Sequence, residues 1–194
     1  MKFTLTDQKP LHRGFFRLDA YTVEHECFDG STQIICREHL ERGDAVAVLL
    51  FDPVRDEVLL IEQFRIGPAV RGDDAWLIEV VAGMIDEGED AETAARREAV
   101  EEAGYEPRRL HHLARYYSTP GGSSERIDLF LGEVDRESPV AGGGGMRHEH
   151  EDIRVHWVTR ERAMEWLHAG RIDSGAPMLA LIMAFGCEGV VKGV

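Results

Sequence analysis

The N-terminal part of the chain alternates between apolar and polar residues. Between residues 15 and 28, Tyr21 and Val23 fall on one face of an extended chain and Thr22 falls on the other. This period of two predicts a half-buried β-strand, and the turn-forming sequence Phe-Asp-Gly-Ser that follows predicts a hairpin with residues 31–40. Two strands are too few to be stable alone, so we expect this small antiparallel sheet to pack on the rest of the chain or on a second copy.

Apolar runs bounded by turn residues predict six further strands in the rest of the chain. We place them at residues 45–51, 57–64, 76–82, 110–117, 127–134 and 153–158. Helical spacing and capping residues predict helices at residues 91–103, 159–168 and 177–185, with a loop at 67–75. Interleaved strands and helices favour an α/β fold in which helices flank a mixed sheet.

Composition limits the partners and the compartment that we expect. The 36 acidic and 22 basic side chains give a net charge of −14, which argues against a nucleic-acid groove or an anionic membrane surface as the main partner. The three cysteines lack CxxC spacing and are typical of reduced thiols. We find no signal-peptide core and no apolar run of bilayer length, so we expect a soluble, cytoplasmic protein.

The most informative stretch is residues 83–105, GMIDEGEDAETAARREAVEEAGY. Asp90 is a suitable helix N-cap, and Gly104 stands where a helix commonly ends in a left-handed residue. Within this helix Glu98 and Glu102 are four residues apart, so their carboxylates lie on one face with Glu101 beside them. Clustered carboxylates of this kind are suited to Mg²⁺ or Mn²⁺, although most glutamate-rich helices are only solvated acidic faces.

The spacing in this stretch resembles the Nudix box, Gly-x5-Glu-x7-Arg-Glu-U-x-Glu-Glu-x-Gly-U with U apolar, and every fixed position is met. The resemblance implies a Nudix-type α/β/α sandwich with a mixed sheet. It also implies that the carbonyl of Ala82 joins the three glutamates as a metal ligand. Glu89 and Arg97 are expected to pair and to hold the loop and the helix together, a supporting role rather than a catalytic one.

A general base is expected outside the box, in the loop at residues 135–151. Four consecutive glycines at 142–145 predict a mobile loop. Resemblance to ADP-ribose pyrophosphatases implies that Glu149 acts as the base and that Glu151 contacts metal, whereas the alternative is a solvated charged loop. A zinc site at His148 and His150 is a weaker alternative because no third ligand has suitable spacing.

Substrate recognition must come from outside the box. The segment 118–125, STPGGSSE, resembles a marker of ADP-ribose pyrophosphatases, a proline about fifteen positions beyond the box, although a plain tight turn would have a similar sequence. In relatives, residues matching Arg37 and Arg65 reach the nucleotide, but either could also be an ordinary surface arginine. Phe28 could stack on adenine, although a buried or partner-facing side chain is the simpler interpretation. The predicted substrate-binding residues are Phe28, Arg37, Glu38, Arg65, Ser118, Pro120 and Gly121.

These observations predict an N-terminal dimerisation sheet at residues 1–43 and a Nudix hydrolase domain at 44–194. The homodimer is implied by the resemblance. The first hypothesis is Mg²⁺- or Mn²⁺-dependent hydrolysis of ADP-ribose to AMP and ribose 5-phosphate. The alternatives are hydrolysis of another nucleoside-diphosphate sugar, such as GDP-mannose, and a nucleotide-binding module without hydrolysis.

Overall fold

The computed structural model describes residues 1–146 and 150–186. Their regular elements are ten strands and four α-helices, one of which continues into a π-helical segment. The strands are β1 (Phe3–Arg13), β2 (Arg17–Glu26), β3 (Thr32–Glu41), β4 (Ala45–Asp52), β5 (Glu57–Phe64), β6 (Trp76–Glu79), β7 (Val81–Met84), β8 (Arg109–Tyr117), β9 (Arg126–Glu133) and β10 (Arg154–Thr159). The helices are α1 (Ile66–Arg71), α2 (Ala91–Glu98), α3 (Arg160–His168) and α4 (Gly175–Phe185), and the π-helical segment is Ala99–Ala103.

The chain forms two compact units. The first comprises residues 1–44 and 116–127, and the second comprises 45–115 and the chain from 128 onwards. The first unit therefore includes the segment 118–125 in addition to the predicted N-terminal sheet.

The first unit is built on an antiparallel sheet in the order β1-β2-β3. The hairpin of β2 and β3 was predicted, and its register pairs Tyr21 with Arg37 and Ala20 with Glu38. Strand β1 was not predicted, because it is exposed along its whole length and its sequence lacks a buried face. It pairs with β2 and shifts register twice.

The second unit has a mixed sheet in the order β10-β5-β4-β9-β8, with β6 paired to β5 and β7 paired to β4. The predicted single strand at 76–82 is wrong, because the chain changes partner at Val80. Up to Glu79 it pairs with β5, and from Val81 it pairs with β4. The predicted loop at 67–75 is also wrong in part, since α1 forms there and ends at Gly72 in the left-handed region with φ 82°.

Helices cover both faces of this sheet, as the sandwich prediction requires. On one face, Val46, Val48 and Ile61 pack against small alanines of α2 and of the π-helical segment. Side chains of alternate strand positions, such as Leu49 and Leu60, are also fully buried, which places them on the opposite face, where α4 contacts β4. The α/β fold with a small antiparallel sheet is therefore confirmed.

Candidate active site

The helix in the stretch 83–105 begins as predicted. The side chain of Asp90 accepts a hydrogen bond of 2.9 Å from the backbone N–H of Thr93, which caps the first turn of α2. After Glu98 the α-helix widens into the π-helical segment, and the helix ends at Gly104 in the left-handed region with φ 82°. The π segment was not predicted, and such segments occur frequently at functional sites because they change where side chains point.

Arg97 ties the loop before the helix to the helix itself. Its guanidinium donates to both carboxylate oxygens of Glu89, from Nε at 3.1 Å and from Nη2 at 3.0 Å, and also donates to the carbonyl of Met84. The predicted pairing of Glu89 with Arg97 therefore forms. The Nη1 group of Arg97 donates to Glu98 at 2.7 Å and to Glu101 at 3.1 Å, so one arginine holds three carboxylates.

Glu102 is the most buried of the predicted ligands. Its side chain is 1% exposed, and Oε2 accepts a hydrogen bond of 2.9 Å from the backbone N–H of Ala82 on β7. Burial raises the pKa of Glu102 to about 8, and the charges of Glu98 and Glu151 add to this effect. A carboxyl group with such a pKa is destabilised as an anion, and a bound cation would relieve that cost.

Glu98 lies directly over Gly83. A Cβ atom at Gly83 would stand 1.8 Å from Oε1 of Glu98, so any side chain at this position would displace the carboxylate. Burial also raises the pKa of Glu98, against the hydrogen bond and charge of Arg97. The first glycine of the stretch is therefore needed for the position of this glutamate.

The chemistry of the donor set fits a hard divalent cation, since the carboxylates of Glu98, Glu102 and Glu151 repel one another. Their side chains nevertheless do not converge on one point: no three potential ligands in residues 1–146 and 150–186 are close enough to hold an ion. Arg97 explains this arrangement, because it holds Glu98 and Glu101 while Glu102 is bonded to Ala82. Each of these bonds engages one oxygen of its carboxylate, Oε1 of Glu98 and Oε2 of Glu102, so the second oxygen of each group could bind an ion without loss of the bond.

The glycine run packs against the end of this helix. The backbone N–H of Gly144 donates to the carbonyl of Glu102 at 2.8 Å, and that of Gly145 donates to Glu101 at 3.2 Å. These bonds satisfy carbonyls that the helix end leaves without partners. Gly143, Gly144 and Gly145 all have positive φ, and a Cβ atom at Gly143 or at Gly145 would stand 2.6 Å from a neighbouring atom. Glycine therefore serves here for the backbone conformation and for close packing, which the sequence prediction of a mobile loop did not anticipate.

The same loop brings in Glu151. Oε2 of Glu151 accepts a hydrogen bond of 3.1 Å from the backbone N–H of Met146. A Cβ atom at Gly145 would stand 2.6 Å from the Cβ of Glu151. The predicted base Glu149 and the neighbouring His148 lie outside the described residues. His150 is exposed.

Arg65 follows β5 on the same unit. Its Nε donates to Oε2 of Glu79 at 2.7 Å, and its side chain is 40% exposed, so the guanidinium remains accessible to an anion. The strand that Arg65 follows contacts the π-helical segment that carries Glu102.

The other predicted substrate-binding residues belong to the first unit. Arg37 and Glu38 are exposed neighbours on β3, so they point to opposite faces of the sheet, and Arg37 donates to the carbonyl of Cys36. Phe28 is 98% exposed at the hairpin turn, so its interpretation as a buried side chain is wrong for this chain alone. The predicted loop residues are Ser118, which donates to Oε2 of Glu125 at 2.5 Å, and Pro120 and Gly121, which are exposed.

The segment 118–125 is an ordered loop held by a buried acid. Glu125 is 6% exposed and also pairs with Arg42 at 3.0 Å, and the carbonyl of Gly122 accepts a bond of 2.7 Å from Leu40 at the end of β3. Within the first unit, the loop is therefore fastened to the strand that carries Arg37.

Comparisons with known proteins point in one direction. The sequence family described as the NUDIX domain matches residues 41–180. The chain is 48% identical over 175 residues to an ADP-ribose pyrophosphatase of Escherichia coli (strain K12), covering 90% of this chain and 83% of that protein. It is 42% identical over 178 residues to an ADP-ribose pyrophosphatase of Haemophilus influenzae, with coverage of 90% and 82%.

Two further matches are more distant. A GDP-mannose pyrophosphatase of Escherichia coli O1:K1 is 35% identical over 181 residues, with 93% of each protein covered. A crystal structure of an ADP compounds hydrolase superposes with a TM-score of 0.74, over 95% of this chain and 92% of that one, at 20% identity. At that identity the superposition supports the fold alone. None of the helices in the described residues is long and apolar enough to cross a membrane.

Proposed function

This chain belongs to the NUDIX domain family of hydrolases, and we propose that it splits the diphosphate of ADP-ribose with water. The products are AMP and ribose 5-phosphate. Oxygen from water forms a bond to one phosphorus, the bond from that phosphorus to the bridging oxygen breaks, and the bridging oxygen leaves with the other phosphate. The 48% identity to ADP-ribose pyrophosphatases over 90% of the chain supports this substrate.

The main structural support for this reaction is the environment of Glu102. Its carboxyl group is buried and hydrogen-bonded to the backbone of Ala82, and its pKa is raised to about 8. We infer that Glu98, Glu101, Glu102 and Glu151, with the carbonyl of Ala82, hold Mg²⁺ or Mn²⁺. When bound, such an ion neutralises diphosphate oxygens and lowers the pKa of water. The chain itself keeps the carboxylates of Glu102 and Glu98 buried near each other. Burial and mutual repulsion disfavour their negative charges, so binding of a cation there is favoured.

We assign the removal of the proton from water to Glu149, which lies outside the described residues. The neighbouring Glu151 supports this assignment, because its charge acts on both Glu98 and Glu102. Glu89 and Arg97 keep a structural role, since their paired groups hold the loop and the helix together.

Within the second unit, Arg65 is the proposed substrate-binding residue, and within the first unit, taken by itself, the candidates lie on β3 and on the loop 118–125. Arginines supply the positive charge that a chain of net charge −14 otherwise lacks at a diphosphate site. Arg37 offers an exposed guanidinium on β3, and Ser118, Pro120 and Gly121 offer an exposed, fixed loop edge. Phe28 and Glu38 are exposed on the same unit and complete the proposed set.

We also propose a homodimer formed through the N-terminal sheet. Strand β1 is exposed throughout and carries Phe3 at 71% and Leu5 at 58% exposure, and Ile34 on β3 is 69% exposed. Exposed apolar side chains on a sheet edge favour pairing with another copy. Light scattering of the purified chain tests this, with twice the mass of 21.8 kDa as the expected result.

The free thiols Cys27 and Cys36 support a cytoplasmic location.

A panel of nucleoside-diphosphate derivatives tests the proposed function. We expect release of AMP and ribose 5-phosphate from ADP-ribose in the presence of Mg²⁺, loss of activity with EDTA, and recovery when Mg²⁺ is restored. GDP-mannose is the discriminating substrate, because a relative at 35% identity is named for it. Faster turnover of GDP-mannose than of ADP-ribose would replace the proposed substrate, and no turnover of either would favour a binding module.

A further inference from the structure

Gln63 is a buried polar residue on β5 that the sequence reasoning did not single out. Its side chain is 6% exposed, yet Nε2 of the amide lacks a hydrogen-bond partner among the residues that the structure describes. An unpartnered donor at such depth costs about 1–3 kcal/mol. An amide in this position is therefore expensive for stability alone, and an apolar side chain of the same size would avoid the cost.

The strand register shows which way Gln63 faces. Leu59 and Ile61 belong to the core cluster under α2 and the π-helical segment, and side chains two residues apart share a face of the strand. Gln63 therefore continues the row that faces the helix with the glutamates. The sequence contains a signal for this, since a glutamine interrupts an otherwise apolar row at an inward-facing position.

Arg65 is the next side chain in that row. Its backbone is extended, with φ −126° and ψ 128°, so its Cα lies ~6.7 Å from that of Gln63. Strand β5 contacts the π-helical segment that carries Glu102. Glu79, which pairs with Ile61 across the strands, lies on the same face and fixes Arg65 through its Nε. A buried amide donor and an accessible guanidinium thus follow each other on the face of β5 that packs against the π-helical segment.

We propose that Gln63 is a substrate-binding residue whose amide Nε2 donates a hydrogen bond to an oxygen of the bound diphosphate, next to Arg65. The inference rests on the proposed function for the presence of a diphosphate. Gln63 would add a neutral hydrogen-bond donor for a phosphate oxygen. The other side chains on this face of β5 and just after it are apolar or charged. A donor, rather than another cation, suits this position because an unpaired charge at 6% exposure would cost far more than an amide.

The test is the Gln63→Met variant, which keeps the length of the side chain and removes the donor. Binding of ADP and of adenosine is measured by calorimetry on the full chain in EDTA, so the readout does not depend on hydrolysis. We expect the dissociation constant for ADP to rise by about tenfold or more, as for loss of a hydrogen bond to a charged oxygen, and that for adenosine to stay the same. The melting temperature of the ligand-free variant should equal or exceed that of the parent, since an unpartnered amide has been removed.

Leu59→Met is the matched control, because Leu59 is buried on the same strand and the same face. It should leave both dissociation constants unchanged, and Gln63→Leu should repeat the result if the methionine variant folds poorly. An unchanged ADP affinity in the Gln63 variants, an equal loss for adenosine, or a parent that does not bind ADP would each overturn the inference. Failure of the proposed function is a different result, namely a parent that binds ADP but hydrolyses none of the diphosphate substrates.

Discussion

The backbone N–H of Ala82 on β7 donates to Oε2 of Glu102 at 2.9 Å, which joins the sheet to the π-helical segment. The two residues are twenty positions apart, and the bond holds a carboxylate that is 1% exposed. Hydrogen bonding to the charged form lowers the pKa of an acid, but here burial outweighs it. The fold therefore keeps an acidic group in a place where its anionic form is unfavourable without a cation.

This burial predicts the pH dependence of stability. The pKa of Glu102 rises from its ordinary value of 4.5 to about 8 in the folded chain, so the folded state binds more protons than the unfolded state between those values. The free energy of unfolding must then fall as pH rises through this window. We expect the EDTA-treated chain to be about 2–4 kcal/mol less stable at pH 8 than at pH 5.5, as measured by urea unfolding.

Glu102→Gln should remove most of that pH dependence and also abolish most hydrolysis, by about 10²-fold or more, because a ligand is lost. Glu92→Gln is the control, since Glu92 is an exposed acid on α2 that pairs with Arg96. If the stability of Glu102→Gln depended on pH as the parent's does, the pH dependence could not come from Glu102.

The glycine run gives a second prediction, in which one glycine serves as the control for another. A Cβ atom at Gly143 would stand 2.6 Å from the carbonyl carbon of Ala103, and φ there is 62°. Gly142 has no atom within 4 Å of its Cβ position. We expect Gly143→Ala to lose about 1–3 kcal/mol of unfolding free energy and Gly142→Ala to change it by less than about 1 kcal/mol.

Thermal and urea unfolding of the two variants decides between packing and flexibility as the reason for the glycines. Equal stabilities would show that the run is only a flexible connection. A lower stability of Gly143→Ala than of Gly142→Ala would show that close packing against the helix end excludes a side chain at Gly143.

The sequence predicted the elements whose signals are local. Strand β5 has the predicted bounds, Asp90 caps α2 as expected, and Glu89 pairs with Arg97 as the resemblance to the Nudix box implied. In each case neighbouring residues carry the periodicity, the cap or the charge that determines the structure.

The features that the sequence did not predict depend on distant contacts. Residues 99–103 are ordinary helix formers, and their π geometry accompanies bonds from Gly144 and Gly145 to the helix end. The break at Val80 results from a change of partner between β5 and β4, which no local residue signals. Burial of Gln63 without a partner is likewise visible only after the sheet and the helix are packed.

The assignment of Glu149 as the base gives a third prediction. Glu149→Gln keeps the size of the side chain and removes its basicity, so kcat should fall by about 10²–10⁴ while ADP binding in EDTA stays the same. Asp152→Asn is the control, because Asp152 is an exposed acid three residues further along the same loop. Turnover of Glu149→Gln within about threefold of the parent would reject this assignment.

The fourth prediction concerns stability away from the candidate site. Asp52 is 1% exposed at the end of β4, about 23 Å along the strand from Ala45, which pairs with Met84 at the start of the box. Its carboxylate accepts four hydrogen bonds, from the backbone N–H groups of Val54, Arg55 and Arg136 and from the guanidinium of Arg55. Burial opposes ionisation, but these bonds outweigh it and lower the pKa of Asp52 to about 2.

A lowered pKa means that the stabilisation by Asp52 is fully present above pH 3.8 and is lost as pH falls through 2. Asp52→Asn should therefore lose about 2–3 kcal/mol of unfolding free energy at pH 7, with a smaller difference from the parent near pH 2. Hydrolysis by the folded variant should match the parent, since the site lies at the other end of β4. Asp73→Asn, in an exposed pair with Arg71, should change neither quantity. A loss of activity in folded Asp52→Asn would show that the two ends of β4 are coupled. That result would contradict our expectation that the hydrogen bonds of Asp52 and the acidic cluster are independent.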